Sequence, residues 1–242
     1  MKKVFGHILL VWFALCFTGV FLLFYPLFLI FLSHSKLYPF ANFLRKIWAW
    51  LTFLLTFTIP IYTNENKSLK GPYVLVSNHT SYLDIVAIGL FAPLKLSFMA
   101  KQQLAKIPLF GIFFRTVDIG VVRESMTQAH KSFKKAKDKI KDGYGVVIFP
   151  EGTIWKQAPK LKTFKNGAFK LAIEMGVPIM PVTFYNNFER LPDEKFEYYP
   201  GIVKFKIHRM IETNHLKSDD VDDLKNKIYC IIENELKNHH IL

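Results

Sequence analysis

The hydrophobic pattern divides this chain unevenly. Residues 8–32 form 25 consecutive positions without a formal charge, enough as a helix to cross a hydrocarbon core of roughly 30 Å. A second uncharged run, residues 47–62, is 16 residues long and contains Pro60, which makes it marginal as a span. Residues 63–72, with Asn64, Asn66, Lys67, Ser68, Lys70 and Gly71, read as a polar linker that opens a globular part. Beyond it, strand-like runs at residues 73–76, 96–99, 116–122, 145–149 and 177–184 alternate with helical patterns at 85–91, 101–106, 126–141 and 164–175. That alternation predicts an α/β fold, a mostly parallel central sheet flanked by helices. In the helix over 126–141, Ala129, Phe133, Ala136 and Ile140 recur three or four apart as an apolar stripe, and lysines cover the rest. Gly176 occupies the position of a helix-ending glycine, with Pro178 just after it. An antiparallel-looking strand over 202–207 and a terminal helix striped by Leu224, Ile228, Ile231, Ile232 and Leu236 close the chain. The expected organisation is therefore an N-terminal hydrophobic membrane anchor of two helical segments, residues 1–62, followed by a single domain, 63–242.

Composition sharpens this picture in three ways. The apolar run is too long for a signal peptide and lacks a small-x-small cleavage site, so an uncleaved anchor is expected. The formal net charge is +13, and residues 95–170 hold 16 Lys or Arg against 5 Asp or Glu, an excess of 11. A basic surface beside an apolar anchor predicts attraction to anionic membrane lipids and phosphorylated substrates. Nucleic acid is not an expected partner, because neither zinc-finger spacing nor an aromatic-glycine RNA-binding pattern occurs. Lys2, Lys3 and the basic globular part all favour the cytoplasmic side, which requires two crossings or a hairpin within one leaflet. Two crossings put Lys36, Arg45 and Lys46 outside, against the positive-inside bias, so both topologies stay open. Cys16 and Cys230 build neither a disulfide framework nor a Cys-x-x-Cys metal site.

The candidate chemistry begins at Asn78-His79-Thr80-Ser81-Tyr82-Leu83-Asp84, between the strand at 73–76 and the helix at 85–91. An imidazole takes a proton near neutral pH, and a carboxylate fixes its tautomer and stabilises the imidazolium that forms. Three further segments follow in order, each expected at a strand end: Asp118-Ile119-Gly120-Val121-Val122-Arg123, Phe149-Pro150-Glu151-Gly152-Thr153 and Val177-Pro178-Ile179-Met180-Pro181-Val182. Open α/β sheets bind ligands beyond the carboxyl ends of their strands, so these loops should share one cleft.

With all four segments in view, the chain resembles the glycerolipid acyltransferase family, whose best-known members are lysophosphatidic acid acyltransferases. The resemblance runs from about Asn64 to the C-terminus, and an N-terminal anchor is usual in the family. It implies that His79 is the general base and Asp84 its orienting carboxylate. It implies that Arg123 holds the acceptor's phosphate, that Glu151, Gly152 and Thr153 line the acceptor site, and that Lys101, ahead of Ile107-Pro108-Leu109-Phe110-Gly111, is a second phosphate contact. The expected reaction moves a fatty acyl group from an acyl carrier protein or coenzyme A thioester to the free hydroxyl of 1-acyl-glycerol-3-phosphate, a lyso-lipid acceptor, giving phosphatidic acid. No cofactor or metal is expected beyond that thioester co-substrate.

The residue types agree with this chemistry on their own terms. A glycerol hydroxyl is a poor nucleophile until a base such as His79 removes its proton as it attacks. No nucleophilic Ser or Cys in a recognisable elbow is present, so no acyl-enzyme is needed. Two departures from the family pattern bear on the acceptor. Val117 and Val122 stand where a glycine and an acidic residue are common, and Ile154-Trp155 follow the third motif where an arginine is frequent. Lys156, Lys160, Lys162 or Lys165 then has to replace that cation, or the acceptor is another lyso-lipid, such as one with an amino-acid headgroup. An alternative from another class is a non-catalytic basic membrane-binding module.

Overall fold

The computed structural model describes residues 2–69, 71–122, 126–239 and 241. Two helices, α1 (Lys2–Phe31) and α2 (Tyr38–Leu55), run directly into a strand, β1 (Thr58–Asn64). After it come β2 (Val74–Ser77), α3 (Leu83–Phe91), β3 (Leu96–Lys101), a 3-10 turn (Gln102–Lys106), α4 (Ile112–Arg115) and β4 (Ile119–Val121). Then follow α5 (Met126–Lys141), β5 (Gly145–Ile148), α6 (Gly167–Met175), β6 (Ile179–Phe184), α7 (Asn187–Arg190), β7 (Gly201–Ile207) and α8 (Val221–Asn238).

Seven strands form one sheet in the order β1-β7-β6-β2-β5-β3-β4. Every neighbouring pair is parallel except β6 with β7, so the sheet is mostly parallel, as the alternating pattern predicts. The central strand shows why its sequence is apolar throughout. Tyr73 and Leu75 face a core shared with α3, whereas Val74 and Val76 face a second core under α5, α6 and α8. A strand covered on both faces has no polar side to alternate with. The stripe of α5 is also as expected: Ala136 and Ile140 are buried and Phe133 half-buried against that second core. Gly176 ends α6 in the left-handed conformation, φ 61°, its N–H bonded back to the last turn.

Several boundaries differ from the sequence pattern. The uncharged run at 47–62 is not one segment but the end of α2 and most of β1. β1 was masked by Pro60, which lacks a ladder donor and is tolerated because β1 is an edge strand pairing only with β7. It straddles the line drawn between residues 62 and 63. The expected strand at 116–122 shrinks to Ile119–Val121, and the helix at 101–106 is a 3-10 turn. The segments at 118–123 and 177–182 were expected at strand ends; residues 119–121 make up the whole of β4, and 179–182 are the start and middle of β6. What reaches the site is Phe184 at the end of β6 and Asn187 at the start of α7.

The N-terminal helices are packed onto the sheet domain rather than standing apart from it. Tyr198 donates its N–H to the Gly6 carbonyl (3.1 Å), and the Phe13 and Tyr198 rings lie 4.8 Å apart. Trp48 Nε1 donates to the Phe17 carbonyl (2.8 Å), and Phe28 meets Phe113 edge-on at 5.0 Å. Arg45, from α2, forms a two-pronged ion pair with Asp118, which also accepts the Phe98 N–H (3.0 Å). One described helix, Lys3–Phe31, is long and apolar enough to cross a membrane. Most of its apolar side chains, among them Val4, Phe5, Ile8 and Leu23, are exposed.

Candidate active site

The loop leaving β2 is fixed by three independent sets of hydrogen bonds. Asn78 continues the sheet with its side chain: Nδ2 donates to the Phe184 carbonyl (2.9 Å), and Oδ1 accepts the Phe184 N–H (2.8 Å). This turns the backbone at the strand end without leaving polar groups unpaired. His79 is then held through its backbone by the segment after β5. Its N–H donates to Glu151 Oε1 (3.0 Å), and its carbonyl accepts from Trp155 N (3.0 Å). The imidazole stacks on Phe149 at 3.8 Å with an 18° tilt, which fixes the ring plane.

Asp84, in the first turn of α3, is fully buried and supplies the third set. Its Oδ2 accepts from His79 Nδ1 (3.0 Å), Thr80 N (2.7 Å) and Ser81 N (2.9 Å). Its Oδ1 accepts from Asn187 Nδ2 (2.8 Å) and Thr80 Oγ1 (3.4 Å). Because that carboxylate oxygen only accepts, Nδ1 carries the ring proton and Nε2 offers a lone pair. Among the described residues none hydrogen-bonds Nε2, and His79 borders a cavity of about 300 Å³.

That cavity is mostly apolar. Phe17, Trp48 and Ala49 of the N-terminal helices, Val86 of α3, and Phe110 and Phe114 contribute to its wall. A second recess of about 540 Å³ shares Lys101, Gly152 and Thr153 with the first and adds Lys162 and Lys165. His79 therefore lines the apolar chamber, which adjoins the lysine-lined recess at Lys101, Gly152 and Thr153. This is the arrangement needed to bring an acyl chain and a phosphorylated alcohol to one base. Gly152, at φ 79°, makes the turn between them, a backbone shape that side chains resist.

Glu151 lines the recess but is almost completely buried, and both of its oxygens are committed to backbone. Oε1 takes the His79 N–H, and Oε2 takes the Lys162 N–H (3.2 Å). Burial pushes its carboxyl up to about 7, the two backbone bonds pull it down, and the Asp84 charge adds to the rise. It acts as a strut between the His79 loop and the lysine-bearing loop. Of the four lysines considered as replacements for a missing arginine, Lys162 and Lys165 line the recess. Lys156 instead pairs with Glu194 at the surface (3.0 Å), and Lys160 is exposed away from either cavity. Lys162 also lies 4.9 Å over the Trp155 ring. Arg123 lies outside the described residues.

The sequence reading missed Asn187 and the Arg45–Asp118 pair that borders the apolar cavity. Asn187 is 103 residues from its partner in the chain, and no spacing rule connects the two.

The molecule is an α/β protein with a mostly parallel sheet, and its histidine-carboxylate pair borders an apolar cavity that adjoins a basic recess. The chain belongs to the Acyltransferase family, whose model matches residues 58–185. It is 30% identical over 193 residues to the 1-acyl-sn-glycerol-3-phosphate acyltransferase of Chlamydomonas reinhardtii, covering 78% of this chain and 57% of that one. It is 31% identical over 159 residues to the enzyme of the same description from Haemophilus influenzae, covering 65% and 64%. The chain spans about three fifths of the length of the curated relatives it matches. Its fold matches the crystal structure of the 1-acyl-sn-glycerophosphate (LPA) acyltransferase PlsC from Thermotoga maritima, with a TM-score of 0.83 at 23% identity. That match covers 99% of this chain and 98% of the other.

Proposed function

We propose that this chain transfers a fatty acyl group from a thioester to the free hydroxyl of 1-acyl-glycerol-3-phosphate, producing phosphatidic acid. The observation that carries the reading is the position of His79, backed by Asp84 and lining an apolar cavity that adjoins a lysine-lined recess. The names of its relatives point to the same acceptor.

In this mechanism the thioester's acyl chain occupies the apolar cavity. The acceptor's phosphate sits among Lys101, Lys162 and Lys165, with Arg123 added on the strength of the family pattern. His79 Nε2 removes the proton of the glycerol hydroxyl as its oxygen attacks the thioester carbonyl. The tetrahedral intermediate collapses by breaking the carbon–sulfur bond, and the imidazolium returns its proton to the departing thiolate. Asp84 stabilises the imidazolium between these steps and keeps the ring from turning. Acyl carrier protein and coenzyme A both satisfy this chemistry as the thioester carrier.

Helices α1 and α2 serve as the membrane anchor and the sheet domain, which β1 opens, as the catalytic domain, at the cytoplasmic face. The anchor lies along one leaflet as a hairpin. Contacts with the domain extend from Gly6 to Phe28, about 33 Å of helix at 1.5 Å per residue. Contact along one face over that length, with most apolar side chains exposed, supports a helix lying along the leaflet rather than crossing it. Arg45 is bound to Asp118 rather than stranded in an external loop, which accounts for one of the three cations, Lys36, Arg45 and Lys46, that weighed against two crossings.

The test is an acceptor panel: purified full chain in detergent, labelled acyl thioesters on either carrier, and lyso-lipids of differing headgroup. Phosphatidic acid should form from lysophosphatidic acid, and His79→Ala should abolish it. Transfer only to a lyso amino-acid lipid replaces the acceptor assignment. Transfer to no acceptor, beside an active control enzyme, leaves a non-catalytic membrane-binding module instead.

A further inference from the structure

Three non-glycine residues among those described adopt left-handed backbone angles: Phe57 (φ 54°), Leu109 (φ 62°) and Phe196 (φ 49°). Glycine or asparagine takes this conformation at least cost, and large side chains resist it. All three positions nevertheless carry large apolar side chains, and all three point outward, with exposures of 69%, 43% and 71%. In water each site would bear two penalties at once, a strained backbone and a bare hydrophobe. An apolar surrounding removes the second and gives the strained shape a use, because a left-handed residue throws its side chain off the tip of a turn.

Their placement identifies that surrounding. The Phe57 carbonyl accepts from Gly201 N (3.1 Å), the adjoining Thr58 hydroxyl bonds to the Tyr198 hydroxyl, and Tyr198 N donates to the Gly6 carbonyl. The turns bearing Phe57 and Phe196 therefore adjoin the start of α1, where Val4, Phe5 and Ile8 are exposed. Leu109 precedes Phe110, whose ring lies 6.2 Å from Phe21 near the middle of α1, and Ile107 is exposed beside it. Exposed lysines stand at the base of two tips, Lys106 before Ile107-Pro108-Leu109 and Lys195 before Phe196. Apolar tips with basic shoulders, continuous with the apolar face of α1, match the acyl–headgroup boundary of an anionic leaflet.

We propose that Phe57, Leu109 and Phe196 insert into the lipid leaflet as a set of contacts separate from α1, fixing the depth at which the cleft meets the bilayer. The inference rests on the membrane-surface reading above. Its function is to hold the two cavities that share Lys101 level with the headgroups, so that an acceptor enters without leaving the membrane.

The decisive measurement uses the full chain without its native cysteines (Cys16→Ala, Cys230→Ser). Single cysteines at 57, 109 or 196 are labelled with an environment-sensitive fluorophore, and the protein is bound to phosphatidylethanolamine–phosphatidylglycerol vesicles. Ile8→Cys on α1 and Lys135→Cys on the exposed face of α5 are the controls. Blue-shifted emission, quenched by nitroxide lipids, is expected at 57, 109, 196 and 8 but not at 135. Quenching at 8 with water-like spectra at any two of the three tips overturns the proposal and leaves anchoring by α1 intact. Water-like spectra at 8 as well overturn both. A double variant, Phe57→Asn with Phe196→Asn, should keep its melting temperature and its turnover in detergent, yet lose at least five-fold of its turnover on vesicle-borne acceptor. Equal turnover on vesicles refutes the role. Activity of the unaltered chain in detergent tests the acyltransferase reading independently.

Discussion

Asp84→Asn separates the two services that the carboxylate performs. Thr80 N and Ser81 N both point at Oδ2, so an asparagine must place its oxygen there and its amide nitrogen at the Oδ1 position. That nitrogen would face the Asn187 amide group, but Asn187 Oδ1 has no partner, so a flip of Asn187 restores the bond. Nδ1 of His79 still meets an oxygen, and the tautomer survives. What disappears is one negative charge beside the imidazolium. At about 4 Å and an effective dielectric constant near 20, that charge is worth up to about 4 kcal/mol. Allowing for solvent at the cavity mouth, a rise of about 2–4 kcal/mol in the barrier corresponds to a roughly 30- to 1,000-fold fall in kcat. The acceptor KM should hardly change. The assay is steady-state transfer of labelled acyl thioester in detergent, with His79→Ala as the floor. A variant keeping more than a third of the original kcat refutes the electrostatic role. One that falls to the His79→Ala floor refutes the claim that the backbone amides preserve the tautomer.

Asn187→Leu leaves Asp84 Oδ1 short of a buried donor; it should lower stability by about 1–3 kcal/mol in thermal melts and reduce kcat several-fold without raising KM. The folded state retains the Glu151 proton up to about 7, whereas the unfolded chain releases it near 4.5. Stability is therefore fullest below the lower value and is lost as pH rises through the upper one, by an order-of-magnitude ~3 kcal/mol. Glu151→Gln should remove that slope in melts recorded from pH 5 to 8, and an unchanged slope would count against it. Lys162→Gln and Lys165→Gln should each raise the acceptor KM about ten-fold, the worth of one charge-assisted hydrogen bond, and leave thioester KM alone.

The architecture was readable wherever burial imposed a period. Residues 73–76 are apolar throughout because both faces of β2 are covered, and α5 repeats every three or four residues because only one of its faces is. β1 was not readable: its exposed Ile59 and Ile61, and Pro60 between them, continue the apolar run of α2 without a break. His79 and Asp84 were found because they lie five positions apart and a strand end precedes them. Glu151 was found for its place in a motif, but its commitment to two backbone amides depends on how three loops fold together. The apolar cavity left no trace in any local pattern, since its wall is assembled from side chains between Phe17 and Asp193.

Phe17, Arg45, Trp48 and Ala49 belong to the first two helices yet form part of the roof over the reaction chamber. Trimming the chain back to a water-soluble catalytic fragment would strip β7 of its neighbour, orphan Asp118 and open the chamber to solvent. Solubility and catalysis cannot be separated by a cut here. On the proposed reading, the part that grips the bilayer is also the part that closes the vessel.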